Sequence, residues 1–230
     1  MLSSALKVAA FGLILIVPAS HAQEPEVPAL ATRCNAVEWN VPMGSSDTFP
    51  PGIRTIQREL EMRDAAVVKE IATSLPHSLH LRRIAPRVLG KWPSDATRTL
   101  LIALVGDPDL HVACLATIYL GDVGGKEVVP RLVESVNDPR TMVRHNALNA
   151  LGSFGAADRG FAAAKTCLER EDNPQWLVDS VLGLMAKLGG SRHIEQAIVI
   201  LEGMQANAVQ ANRRQGAARV LAILRAKLAR

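Results

Sequence analysis

Four of the six histidines, His77, His80, His111 and His145, fall between residues 77 and 145. Neutral imidazole is a common metal ligand, and His77 and His80 are spaced to share a helix face. No carboxylate or cysteine completes a compact set beside them, and zinc sites carry closer ligand spacing. The sequence therefore implies no metal site and no cofactor. Three cysteines, Cys34, Cys114 and Cys167, leave at least one thiol without an internal partner. Cys34 lies in a proline-rich stretch and is the one placed to pair with another chain; Cys114 and Cys167 read as small core residues. There is no G-x-S-x-G elbow and no glycine-rich phosphate loop, so no residue is assigned a catalytic role.

What the chemistry-bearing residues do show is spacing. His80, His111 and Met142 recur at 31 residues; so do Arg83, Cys114 and His145, and Arg87, Ile118 and Asn149. Such rows share one surface only if the chain repeats the same element at that period. It does: Asp107-Pro108 returns as Asp138-Pro139, Val112 as Val143, Ala116 as Ala147, Leu120 as Leu151 and Gly121 as Gly152. A period of this size marks a repeat array. One step back, Leu81, Ala85, Leu89 and Gly90 keep the register. Asn173-Pro174 and Leu188-Gly189 continue it after a short insertion, and a last copy falls near Ala217 and Leu221.

Each copy predicts a short helix. Val143, Ala147, Leu148 and Leu151 fall within one stripe at 3.6 residues per turn. Asp138 is expected as N-cap with Pro139 at the first helical position, and Gly152 as a left-handed stop. The run from Lys126 to Val136 supplies a second apolar face. The unit is therefore two antiparallel helices, and stacking of about five units buries a continuous core. With Val143 and Leu148 inward, Met142, His145 and Asn149 project outward. Arg144 lies beside the buried stripe and reads as structural, paired with a turn carboxylate, Asp138 or Asp107. The expected partner surface is the outward ridge of the second helices: His80, Arg83, Arg87, His111, Ile118, Met142, His145 and Asn149.

The segments DPDLHVACLATIYLGD, DPRTMVRHNALNALG and NPQWLVDSVLGLMAKLG resemble HEAT repeats, in particular the short bacterial kind related to phycobilisome-lyase repeats. The resemblance covers roughly Leu81 to Leu228 and implies an all-α solenoid used as a binding scaffold. Some relatives are enzymes, so fold alone does not settle function. Two enzymatic classes lack their signatures. No His-Glu dipeptide of the kind that holds a di-iron centre occurs, and bilin attachment needs a cytosolic setting.

Composition agrees with helices: hydrophobic residues make up 48% of the 230, aromatics only 3%. Residues 1–22 resemble a secretory signal peptide, with Lys7, an apolar run from Val8 to Val17, and small residues at Ser20 and Ala22. That run is too short for a comfortable membrane span. Cleavage near Ala22 makes the chain periplasmic or secreted. Residues 23–51 read as a proline-rich linker, extended or disordered, and 52–230 as the solenoid. Within it, 52–75 reads as one helix or two broken near Asp64.

The formal charge of +4 falls to +3 once Lys7 is removed, too small to argue nucleic acid. Its distribution is uneven: Arg213, Arg214, Arg219, Arg225, Lys227 and Arg230 follow the last acidic residue, Glu202. They read as a solvated basic face on a capping helix, with contact to an anionic surface as the alternative. The sequence thus predicts an exported, non-catalytic scaffold that binds a protein through its second helices. The alternative is a lyase- or isomerase-like enzyme that uses the same groove for a small ligand.

Overall fold

The apolar stripe of each repeated helix turns inward. Leu81, Ala85 and Leu89 are fully buried, as are Val112, Ala116 and Leu120 one period on, and Val143, Ala147 and Leu151 one period further. The computed structural model describes residues 27–38, 49–153, 157–170, 173–187, 191–207 and 211–229; the leader reading of 1–22 lies outside them. Twelve α-helices and no strand are found among the described residues. They are α1 (Ala29–Asn35), α2 (Pro51–Glu61), α3 (Val67–Ser74), α4 (Leu79–Leu89), α5 (Asp95–Val105) and α6 (Leu110–Val123), then α7 (Val129–Ser135), α8 (Thr141–Ser153), α9 (Ala157–Glu169), α10 (Gln175–Lys187), α11 (Ser191–Asn207) and α12 (Ala211–Leu228).

From α3 onward they pair as five successive hairpins. The second helices α4, α6, α8, α10 and α12 each pack on the next in order, so each unit completes its neighbour's core. Break points have local causes. Asp64 accepts from the Ala66 amide at 3.0 Å in the turn that separates α2 from α3. Pro76 follows α3 in a 3-10 turn. Ser78 caps α4 by accepting from Leu81 N, and Ser94 caps α5 by accepting from Thr97 N, both at 3.1 Å. Gly124 and Gly125, with φ of 68° and 107°, make the turn after α6.

Two cap assignments differ from expectation. Asp107 and Asp138 are not N-caps. Each accepts from the amide two residues on, Asp109 N at 2.9 Å and Arg140 N at 2.8 Å, and closes an Asx turn ahead of the helix. The α6 cap is Asp109, which accepts from Val112 N at 3.0 Å. Gly121 and Gly152 are not stops either, since α6 and α8 run past them. A Cβ on Gly121 would lie 2.7 Å from the Ala150 Cβ of α8, and one on Gly152 would collide with the Leu184 side chain of α10. The glycine recurs because successive second helices approach closely there.

The proline-rich stretch also departs from its extended reading. Leu30, Ala31 and Cys34 give α1 a buried face that packs on α3 and α4. The helix is only seven residues long, too short to impose a visible period. At the other end, Ala217 and Leu221 are buried as expected, as is Leu224, while Leu228 is 42% exposed.

Candidate partner-binding ridge

Counted from helix starts, His80, His111, Met142 and Trp176 are the second residues of α4, α6, α8 and α10. This first row splits into a covered and an open half. His80 Nδ1 donates to the Cys34 carbonyl at 2.9 Å. Phe49, itself buried, stands edge-on to His111 with ring centroids 5.6 Å apart. The chain's own N-terminal residues thus occupy the first two positions. Met142 and Trp176, at 44% and 45% exposure, are open.

The other two rows do not divide in this way. Arg83 is buried and does not face solvent as expected; it makes two hydrogen bonds to Asp109 Oδ2, from Nε at 3.2 Å and Nη2 at 2.7 Å. Arg87 is exposed beside α2, in a cleft it lines with Phe49, Gln57 and Glu61. Cys114 is half-buried; Ile118, 41% exposed, is open. His145 is half-buried between its neighbours: Nε2 lies 3.0 Å from Ser180 Oγ and 2.9 Å from Asn149 Nδ2, and its ring stands edge-on to Trp176 at 5.2 Å. The Asn149 amide and the Ser180 hydroxyl both meet the ring at Nε2, while Nδ1 is buried without a hydrogen-bond partner. Ile118, Met142, His145, Asn149 and Trp176 therefore form a neutral, largely apolar surface over α6, α8 and α10.

Trp176 was hidden from the sequence rows. The insertion before Asn173 shifts it off the 31-residue period; alignment on helix starts restores it.

The structural residues hold the repeats in register. The Asp138 carboxylate pairs with Arg140, not with Arg144: Arg140 Nε and Nη2 each donate to it at 2.9 Å. Arg140 also reaches back one repeat, donating to the Asp107 carbonyl at 2.6 Å and the Val105 carbonyl at 3.2 Å. Arg144, 1% exposed, instead donates to the main-chain carbonyls of Asp138 and Pro139 at 2.9 and 3.0 Å. A buried guanidinium satisfies turn carbonyls there that the helix cannot. Arg82 Nε sits 2.8 Å from Asp107 Oδ2 as an ion pair without hydrogen-bond alignment.

The basic face on α12 is smaller than the sequence suggests. Arg213 is buried and donates to the Arg170 and Asn173 carbonyls at 3.1 and 3.3 Å, the same backward reach as Arg140. Arg225 pairs with Glu202 at 2.6 Å, and Arg219 lies 3.7 Å from Asp179. Arg214 is exposed; Arg230 and the Lys227 side chain lie outside the described residues. Cys34 is fully buried and its thiol is pushed up to about 11 by burial, so it is not an exposed handle for another chain. Burial pushes Cys114 up to about 11 as well. No group of three or more metal-ligating side chains converges among the described residues.

These environments set the response to acid. Burial pushes the Asp109 and Asp138 carboxyls up, but hydrogen bonds from Arg83 and Val112 N, and from Arg140, outweigh it and hold both below the usual range. Their contribution is complete above the unfolded value of about 3.9 and is lost as pH falls through the lower folded values. Burial also lowers His111 and His145. Unfolded imidazoles then take up protons first, and stability declines as pH falls below about 6.5. Urea midpoints should therefore drop in two acid windows. Asp109→Asn should weaken the lower one and cost about 1–3 kcal/mol at neutral pH. A midpoint flat from pH 7 to 3 contradicts this assignment.

The repeat architecture has a counterpart among known families. The HEAT repeats family matches residues 65–152 and again 97–185, together more than half of the chain. The chain is a HEAT-repeat protein. Among solved structures this HEAT-repeat protein is similar to an engineered protein, at 16% identity over 88% of this chain and 98% of the other, with a TM-score of 0.47. No curated protein matches its sequence.

Proposed function

We propose that this HEAT-repeat protein is an exported, non-catalytic scaffold that captures a protein partner on the open half of its second-helix ridge. The observation that carries the reading is the exposure of Ile118, Met142 and Trp176 on three consecutive second helices. Large apolar side chains clustered on one face mark an interaction surface more than scattered ones do, and Trp and Met are enriched in interfaces. HEAT-type arrays present such ridges as extended binding surfaces. The leader-like residues 1–22 support export, and no helix among the described residues is long and apolar enough to cross a membrane.

The test is a double variant, Ile118→Glu with Met142→Glu. Both side chains are exposed, so the melting temperature should stay within a few degrees. Cross-linking in the native compartment should then lose the partner caught by the unaltered chain. Equal recovery from both chains overturns the reading. Arg83→Glu is unsuited to this purpose, because it sets a second carboxylate against Asp109.

A further inference from the structure

On the opposite layer, a groove opens between α3 and α5. Val68 and Ala72 of α3 form one wall, Ala96 and Leu100 of α5 the other, and Trp92 with Pro93 closes one end. Its volume of about 640 Å³ lies in the range of small-molecule sites. Small side chains create it: Ala72 and Ala96 stand where larger residues would fill the gap. Two grooves between later first helices are smaller and more charged, with Asp158 and Lys165 between α9 and α11 and Arg159 between α7 and α9.

Of the polar groups lining this groove, the two hydroxyls are already used, while Trp92 Nε1 is buried without a hydrogen-bond partner. Ser94 Oγ is engaged with Thr97, and Thr99 Oγ1 donates to the Asp95 carbonyl. Lys69 is the one charged side chain in the lining. It lines the groove, is exposed, and has no ion-pair partner among the described residues. The nearby carboxylates of Glu70 and Asp95 are paired with Arg63 and Arg98. An apolar trough with one unpaired cation at its wall is complementary to an apolar chain with one anionic end.

We propose that this groove binds the acyl chain of a monomeric fatty acid, with the carboxylate set against Lys69. The site is independent of the second-helix ridge and stands whether or not that ridge captures a protein. Occupancy comes from dissolved amphiphile rather than from a bilayer, since the trough is one helix pair wide and carries a single cation.

The test uses the full chain with Trp39→Phe and Trp176→Phe, which leaves Trp92 as the sole indole. Below its micellar concentration, 12-bromododecanoate should quench Trp92 saturably. Dodecanoate should compete, and dodecanol should compete with equal strength in the presence and absence of Lys69→Glu. That substitution should weaken dodecanoate about five- to tenfold. Ala72→Phe fills the trough and should abolish quenching without lowering the melting temperature. Each methylene added to the chain should tighten binding by at most about fourfold. Absence of saturable quenching, equal dodecanoate affinity after Lys69→Glu, or binding to anionic phosphatidylglycerol vesicles but not to monomer each overturns the proposal. Because the quencher reports directly on Trp92, a misfolded Ala72→Phe variant does not leave the question open.

Discussion

Replacing Leu148 by Asp unfolds the array. Leu148 is 2% exposed in the core between second helices. Truncation to Ala removes buried methyl groups and leaves a cavity, a loss of about 2–5 kcal/mol. Asp adds a carboxylate with no partner in the apolar layer, which raises the loss by several kcal/mol more. Domain stability is about 5–15 kcal/mol in total, so the charged variant consumes most of it while the alanine variant stays folded. Circular dichroism should show Leu148→Ala melting cooperatively at reduced temperature. Leu148→Asp should show little helix at 25 °C, or a noncooperative melt, because one ruined interface uncouples the hairpins on either side. A soluble Leu148→Asp chain with unchanged melting contradicts the register on which every ridge position depends.

That register was legible because the core constrains every repeat in the same way. A helix that buries Val112, Ala116 and Leu120 against its neighbours must repeat those side chains when it repeats, and Val143, Ala147 and Leu151 do so. The outward rows were placed by the same logic, and Met142, Ile118 and Asn149 are exposed as it requires. The rest was hidden because it depends on contacts with no period. Nothing in the spacing of His80 and His111 tells that Cys34 and Phe49 lie against them, since those contacts join positions 46 and 62 residues apart. Nor does it tell whether a turn arginine faces a carboxylate or a carbonyl. Arg140 and Arg144 are both within reach of Asp138, and only their places, one in the turn and the other on the first turn of α8, assign one to the side chain and the other to the main chain. Trp176 was lost to an insertion that changes the sequence period but not the helix start.

The glycines give the second large effect, and its sign changes along the chain. Alanine is favoured over glycine within a helix by about 1 kcal/mol, so Gly→Ala stabilises wherever the new methyl has room. Gly183 in α10 has nothing within 4 Å of the added carbon, and Gly183→Ala should raise the melting temperature. Gly121 is the opposite case. Its methyl would stand 2.7 Å from Ala150 Cβ and 3.2 Å from Ala150 Cα, atoms that cannot rotate away, so α6 and α8 must separate. Overpacking of that kind costs about 1–3 kcal/mol and outweighs the propensity gain. Gly152→Ala should fall between the two, because its clash is with the end of the Leu184 side chain, which has other rotamers. Urea denaturation of the three variants should therefore order them Gly183→Ala above the unaltered chain, then Gly152→Ala, then Gly121→Ala. If all three stabilised equally, close approach between second helices would not be the reason why glycine recurs at Gly121 and Gly152.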